Sequence, residues 1–131
     1  MTRSVVTFLM FQGNAEQAAR FYADVVPGAE ITALELYGPD EGGIEGTVKH
    51  GEMTMCGHPL RFYDSPPVHD FTFTPSISLF VECSDDTELE TLFAALSEGG
   101  AVFMPLGTYG FSTRFGWCAD RFGVSWQLNL A

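Results

Sequence analysis

Two groups of polar residues in this sequence have the types and the spacing that chemistry requires. His50 and Glu52 lie two residues apart in a strand-like segment, so both side chains project from one face. Such a pair can bind a metal or exchange a proton, although a solvated surface pair is the commoner outcome. Near the end of the chain, Ser125, Gln127 and Asn129 alternate with apolar residues. Their hydroxyl and amide groups can hydrogen-bond a ligand from one face of a strand.

The elements that must position these residues follow the same order in both halves of the chain. Hydrophobic periodicity predicts strands at 5–11, 30–37, 47–55, 60–63, 77–81, 101–106, 113–119 and 124–130. Helical spacing of apolar residues predicts one helix after the first strand and one after the fifth. Asn14 with Gln17, and Asp85 with Glu88, have the spacing of capping boxes at the starts of these helices. The pattern is therefore strand, helix and three strands, performed twice.

This repeat predicts an α+β fold built from two βαβββ modules in a single domain, residues 1–131. Module 1 spans about residues 1–64, and module 2 spans about residues 76–131. The intervening residues 65–75 contain three prolines and favour an extended connector. Each module is expected to form a curled mixed sheet, with its helix outside and a concave surface inside that would serve as a ligand site.

Composition excludes some classes of partner and favours others. The formal net charge is −11, from 6 Lys+Arg against 17 Asp+Glu. This balance disfavours nucleic acid and anionic membrane, which both require a cationic surface. No apolar run approaches the roughly 20 residues that span a bilayer, and no signal peptide is evident, so we expect a cytoplasmic protein. Cys56, Cys83 and Cys118 are widely spaced, which predicts three buried, reduced thiols.

Four segments resemble one known family. They are Phe11-Gln-Gly-Asn-Ala-Glu-Gln-Ala-Ala-Arg-Phe-Tyr22, Phe73-Thr-Pro-Ser-Ile-Ser-Leu-Phe-Val81, Leu96-Ser-Glu-Gly-Gly100 and Phe115-Gly-Trp-Cys-Ala-Asp-Arg-Phe-Gly-Val-Ser-Trp-Gln127. Through them the chain resembles the glyoxalase/bleomycin-resistance/dioxygenase (vicinal oxygen chelate) superfamily, in its 3-demethylubiquinone-9 3-methyltransferase-like branch. The resemblance implies the two-module fold and the cup-shaped site. The sequence has no Gly-rich strand-to-helix turn for a methyl donor, so methyl transfer comes only from the branch's label.

The resemblance also implies which positions would hold a metal. Metal enzymes of the superfamily place ligands on the first, fourth, fifth and eighth strands. These positions fall at Thr7, within Arg61 to Tyr63, at Ser76 or Ser78, and at Gln127. Hydroxyls and an amide are poor ligands for a divalent ion, so no metal and no other cofactor is expected. The predicted cup lining is Thr7, Leu9, Ser76, Ser78, Phe80, Ser125 and Gln127.

These expectations define three alternative functions. The first is a metal-free protein that binds a small molecule in the cup, with or without turnover. The second is a metal-dependent lyase, isomerase or dioxygenase that uses His50, Glu52 or connector residues. The third is ligand sequestration of the kind that resistance proteins perform. A homodimer is expected in each case, because relatives pair their modules and because the aromatic surplus, at 14% of residues, could supply an apolar interface.

Overall fold

The computed structural model describes residues 1–131 and contains the two helices and eight strands that the sequence predicts. In chain order they are β1 (Thr7–Phe11), α1 (Ala15–Val25), β2 (Ala29–Leu36), β3 (Val48–Met55), β4 (His58–Asp64), β5 (Ser78–Glu82), α2 (Asp86–Ser97), β6 (Ala101–Gly107), β7 (Arg114–Ala119) and β8 (Ser125–Leu130). The order strand, helix and three strands occurs twice, as expected. Neither helix is long and apolar enough to cross a lipid bilayer.

The strands form two separate four-stranded sheets, one in each half of the chain. Their strand orders are β1-β4-β3-β2 and β5-β8-β7-β6. In each sheet one pair is parallel, β1 with β4 and β5 with β8, and the other pairs are antiparallel. The chain divides into two compact units at residues 1–70 and 71–131, which we call module 1 and module 2 from here on.

In module 1, helix α1 packs against one side of the sheet. We call this side of either sheet its helix face and the opposite side its open face. Tyr22 of α1 is buried, as are Met53, Leu60 and Phe62 of the sheet. The alternation of buried and exposed residues along β4 shows why this strand has two distinct faces. Gly51 lies where the Phe62 ring crosses β3, and a Cβ there would lie 2.2 Å from that ring.

Module 2 repeats this arrangement with larger side chains. Helix α2 buries four side chains at helical spacing, Leu89, Leu92, Phe93 and Leu96. The helix face of its sheet carries Trp126, Leu128 and Cys118, which are fully buried. Gly116 lies beneath Phe93, and a Cβ at this position would lie 2.6 Å from that ring. The helix face of each sheet therefore needs one glycine so that an aromatic ring can pack directly on the backbone.

The two helices begin in different ways. At α2 the first half of the predicted capping box is present, because Asp85 accepts a hydrogen bond from the Glu88 amide at 2.8 Å. The Glu88 side chain reaches one residue further than predicted and accepts from the Ser84 amide at 3.1 Å. At α1 the predicted capping box is wrong, because Asn14 makes no side-chain cap. Asp64 replaces it from β4, accepting hydrogen bonds from the amides of Gly13 and Ala15.

The β3–β4 hairpin turns at Cys56-Gly57. Both residues have positive φ, 48° and 82°, as a two-residue type I′ turn requires. The prediction that all three thiols are buried is wrong for Cys56, which this turn exposes to solvent. Cys83 and Cys118 are buried and unpaired as expected.

Candidate functional site

The open face of module 2 brings together four of the predicted site residues. Ser78 of β5 is the register partner of Ser125 of β8, and Phe80 is the partner of Gln127. The intervening residues of β8, such as Trp126, point to the helix face and are buried. The side chains of Ser78, Phe80, Ser125 and Gln127 therefore share one surface across a parallel strand pair.

A hydrogen-bonded chain connects the polar groups of this surface. The Trp117 indole N–H donates to Ser125 Oγ at 2.9 Å. Ser125 Oγ and Ser78 Oγ lie 2.7 Å apart, and the Gln127 amide Nε2 donates to Ser78 Oγ at 3.2 Å. Trp117 is not part of the predicted lining. It lies on β7, which pairs with β8 in antiparallel orientation, and this pairing is the signal that could have predicted its contact with Ser125.

The direction of the hydrogens in this chain follows from burial. Ser125 is buried, at 1% exposure, and already accepts the Trp117 N–H, so its own O–H must donate to Ser78 to be satisfied. Ser78 Oγ then accepts from both Ser125 and Gln127, and its own O–H points elsewhere. Because Gln127 uses its NH₂ group on Ser78, its carbonyl oxygen remains as an acceptor. The open face thus presents two donors, the Ser78 O–H and the second N–H of Gln127, next to one acceptor, Gln127 C=O.

Aromatic rings flank these donors and this acceptor. The Phe80 ring, 55% exposed, lies 6.4 Å from the Phe115 ring. Phe111, 63% exposed, lies edge-on to Phe115 with 5.0 Å between the ring centroids, and Tyr109 lies edge-on to the same ring at 6.3 Å. Tyr109 and Phe111 belong to the segment between β6 and β7. These rings provide an apolar surface for the flat body of a ligand.

Thr7 and Leu9 lie on the helix face of module 1 and not on its open face, so the face predicted for these two residues is wrong. Leu9 lies between α1 and the sheet, in a gap that has no room for a water molecule. Its neighbours there are Phe11, Ala19, Tyr22, Met53 and Phe62. Thr7, two residues earlier, bonds through Oγ1 to His58 Nε2 at 3.0 Å.

The length of the loop before each helix explains this error. Three residues separate Phe11, the last residue of β1 on the helix face, from the start of α1. Only two separate the corresponding residue, Cys83, from the start of α2. Aligning the modules by their helices therefore shifts the strands by one residue, which moves every side chain to the opposite face. Gly13, with φ of 125°, belongs to the longer loop.

Ser76, which was predicted to line the cup, does not lie on the open face of module 2. It precedes β5 in a turn, is exposed, and its backbone and hydroxyl are within hydrogen-bonding distance of Thr74 Oγ1. The two-residue alternation that would put it with Ser78 does not extend across this turn. Of the two candidates for the fifth-strand position, only Ser78 is therefore a strand residue, and Ser76 is a turn residue.

The open face of module 1 carries charged groups instead. His50 Nε2 and Glu52 Oε2 lie 2.9 Å apart, as expected for residues predicted to share a strand face. Arg61 is the register partner of Glu52 and of Phe8, and its Nε lies 4.0 Å from Glu52 Oε1. Next to this row, the Tyr63 ring stacks on Phe8 with 5.3 Å between centroids. The two-residue hairpin turn fixes the pairing of Glu52 with Arg61, so the sequence contained the signal for this cluster.

These residues do not fit the metal arrangement that the superfamily implies. On the open faces, the first, fourth, fifth and eighth strands carry these residues: Phe8 and Met10; Arg61 and Tyr63; Ser78, Phe80 and Glu82; and Ser125, Gln127 and Asn129. Glu82 is the single carboxylate among them and accepts a hydrogen bond from Asn129 Nδ2 at 3.0 Å, none is an imidazole, and the Arg61 guanidinium repels a cation. Nor do three or more His, Cys, Asp or Glu side chains converge as a metal-binding group within residues 1–131. The absence of a metal nevertheless remains a prediction.

Comparison with known proteins identifies the family. The protein-family model described as 3-demethylubiquinone-9 3-methyltransferase matches residues 3–129. The chain belongs to this family. A PhnB protein from Bacillus cereus, whose 3-demethylubiquinone-9 3-methyltransferase name is provisional, is 46% identical, with a TM-score of 0.94 over 98% of this chain and 100% of that one. Protein PA1353 from Pseudomonas aeruginosa is 30% identical, with a TM-score of 0.85 over 98% of both chains.

More distant structures share only the fold. The fosfomycin resistance protein FosX from Listeria monocytogenes is 12% identical, with a TM-score of 0.62 over 100% of this chain and 94% of that one. A glyoxylase/bleomycin resistance protein/dioxygenase domain from Frankia is 13% identical, with a TM-score of 0.66 over 100% and 93%. No curated protein matches the chain. The chain is therefore a glyoxalase-fold member of the 3-demethylubiquinone-9 3-methyltransferase family whose reaction the family description does not establish.

Proposed function

We propose that this family member binds a small neutral ring compound on the open face of module 2, without a metal ion. The observation that carries the proposal is the adjacent Ser78 O–H donor and Gln127 C=O acceptor, held by the chain of hydrogen bonds that ends at Trp117. A compound with neighbouring hydroxyl and carbonyl groups complements this pair. Phe80 would contact the ring itself.

The ligand class follows from these contacts. The donor and the acceptor are both neutral, so the site favours an uncharged polar group over an ion. A cyclic α-hydroxyketone fused to an aromatic ring, such as 2-hydroxy-1-indanone, has an un-ionised hydroxyl beside a carbonyl on a flat body. The hydroxyquinone that the family description names has the same two neighbouring groups, but its hydroxyl is acidic and is ionised at neutral pH. We do not propose methyl transfer, because each sheet has a single parallel strand pair and neither module has a Gly-rich strand-to-helix turn for the donor.

Binding should be measured by isothermal titration of 2-hydroxy-1-indanone into chelator-treated protein. We expect Gln127→Ala to weaken binding by about tenfold, because one ligand hydrogen bond and the order of Ser78 are lost together. Gln17→Ala, the same change at an exposed position of α1, should leave the affinity unchanged. Equal affinity of Gln127→Ala and wild type would refute the site.

A second pair of variants tests the donor role of Ser78 separately from the acceptor role of Gln127. Ser78→Ala removes the proposed donor, and Ser76→Ala makes the same change in the turn before β5. Only Ser78→Ala should weaken the binding of 2-hydroxy-1-indanone. The corresponding methyl ether, 2-methoxy-1-indanone, has no hydroxyl proton to donate to Gln127 and should bind wild type more weakly than 2-hydroxy-1-indanone does.

Metal content and turnover separate the alternative functions. Stoichiometric metal in purified protein, with a lower Tm after chelation, would replace this proposal with the metal-dependent lyase, isomerase or dioxygenase. Conversion of the bound compound would identify an enzyme, and tight binding without conversion would identify sequestration. We also propose a cytoplasmic location, supported by three unpaired thiols.

We propose in addition that the protein is a homodimer. Large apolar side chains are exposed in both modules, among them Val5, Val68, Phe71 and Ile77. An apolar surface of this kind is typical of a protein interface. Light scattering coupled to size-exclusion chromatography would give twice the mass of 14.4 kDa for a dimer, and the chain mass alone would refute it.

A further inference from the structure

We propose that the open face of module 1 binds a zwitterion that carries an aromatic or other flat apolar group, such as an α-amino acid with an aromatic side chain. The site consists of Arg61, Glu52 and Glu35 with the Phe8–Tyr63 ring pair. It lies on a different sheet from the Ser78–Gln127 site, and the proposal does not depend on that site.

The register of the sheet places these groups in two adjacent rows. Phe8, Arg61 and Glu52 are partners on the neighbouring strands β1, β4 and β3. In the next row Tyr63 is on β4, and His50 on β3 is the partner of Glu35 on β2. The aromatic side chains therefore lie at the β1–β4 side of this face, the cation at its centre and the carboxylates toward β2.

Arg61 is available to a carboxylate. Three other cations of this acidic chain are held more closely by partners on their own modules: Arg20 by Glu16 at 2.9 Å, Lys49 by Glu41 at 3.1 Å, and Arg114 by Asp86 and Glu90 at 2.9 and 2.8 Å. Arg61 has only the 4.0 Å approach of its Nε to Glu52. The two terminal nitrogens of the guanidinium can form the fork that a ligand carboxylate accepts.

Glu52 is held in position as an anion. His50 Nε2 donates to its Oε2 at 2.9 Å, and this hydrogen bond, with the charge of Arg61 adding to it, lowers the pKa of Glu52. The two carboxylates, Glu52 and Glu35, outnumber the single guanidinium of Arg61, so they disfavour a ligand that carries only negative charge. A ligand that carries only positive charge is repelled by the Arg61 guanidinium. A ligand with both charges satisfies both kinds of group.

The ring pair supplies the apolar part of the site. Phe8 is 61% exposed although it is large and apolar, and the Tyr63 ring stacks on it with an interplanar angle of 18°. Tyr63 is fixed from its other end by a hydrogen bond from its hydroxyl to Met10 Sδ at 3.2 Å. A flat side chain can extend this stack and remove the exposed Phe8 ring from water.

Four probes that differ by one group test the proposal by isothermal titration: phenylalanine, 3-phenylpropionate, phenethylamine and glycine. Phenylalanine should bind most tightly, because the second probe lacks the ammonium, the third lacks the carboxylate and the fourth lacks the ring. Equal binding of phenylalanine and 3-phenylpropionate, or no binding of any probe, would overturn the proposal.

Matched variants locate the site. Arg61→Gln and Glu52→Gln should each weaken phenylalanine by about tenfold, as expected for the loss of one charge-assisted hydrogen bond. Arg20→Gln removes a cation from the exposed face of α1 and should have no effect. The tested variants must retain the wild-type Tm. If Arg61→Gln instead converts a dimer into a monomer and no probe binds, a second copy of the chain covers this face and the proposal is wrong.

Discussion

At the centre of its open face the sheet of module 1 carries charged side chains, whereas around Ser78 and Gln127 the open face of module 2 carries hydroxyl and amide groups. Arg61 in the first module occupies the strand position that Gln127 occupies in the second, next to Phe8 and Phe80 respectively. The helix faces differ much less, since both are apolar and both contain a glycine under an aromatic ring. The duplicated architecture has thus kept its core while its two open faces have acquired different chemistry.

The largest expected effect concerns the buried carboxylates, one in each module. Asp64, 2% exposed, accepts hydrogen bonds from three amides, those of Gly13, Ala15 and Val48. We expect Asp64→Ala to lower the free energy of unfolding by about 3 kcal/mol or more, because each buried N–H without a partner costs about 1–3 kcal/mol. Urea denaturation measures this loss.

The matched variants for this experiment are Asp64→Asn and Asp70→Ala. The amide retains one acceptor oxygen, so Asp64→Asn should lose less stability than Asp64→Ala. Asp70 is exposed, and its removal should change little. Asp120 of module 2 accepts from the Val124 amide and the Trp126 indole, so Asp120→Ala should resemble Asp64→Ala. A loss below 1 kcal/mol at Asp64 would show that its hydrogen bonds do not hold module 1 together.

The two glycines under aromatic rings give the next largest effect. We expect Gly51→Ala and Gly116→Ala each to lower the free energy of unfolding by about 1–3 kcal/mol, because the new methyl group overlaps the Phe62 or Phe93 ring. Gly107→Ala is the control, since a Cβ there meets only ordinary contacts at 3.6 Å. Equal stability of all three variants would contradict the shared packing of the two helix faces.

The helix starts test a difference between the modules. Asp85→Ala should cost about 1 kcal/mol, because the side chain caps the Glu88 amide at the start of α2. Asn14→Ala should cost much less, because Asn14 makes no side-chain cap at α1. Thermal unfolding of both variants decides the point, and a larger loss at Asn14 would mean that α1 is capped locally after all.

The smallest effect is a difference in thiol reactivity. Burial, with nearby carboxylates adding to it, raises the pKa of Cys83 to about 11 and that of Cys118 to about 12. These thiols of module 2 should therefore remain protonated and inert at pH 8, while the exposed Cys56 of module 1 reacts with a thiol reagent. Because folding raises both pKa values, their contribution to stability is complete below about pH 8.5 and is lost as the pH rises toward 11–12. Two or three rapidly reacting thiols in the native protein at pH 8 would contradict the burial.

Much of this fold is predictable because the signals are local. Alternation and helical spacing gave the order of the elements, and the i, i+2 spacing placed His50 and Glu52 on one face. The cap of α1 was not predictable in this way, because Asp64 is about fifty residues from the amides that it caps. The face of β1 depended on one additional loop residue before α1, which reversed the expected positions of Thr7 and Leu9.

The most direct test of the central claim is a map of backbone amide NMR shifts as 2-hydroxy-1-indanone is added to the chelator-treated protein. We expect the largest changes along β5 and β8, at Ser78, Phe80 and Gln127, with those of β1 and α1 unchanged. Changes centred on Arg61 and Glu52, or on the helix faces, would contradict a neutral hydrogen-bonding site on module 2.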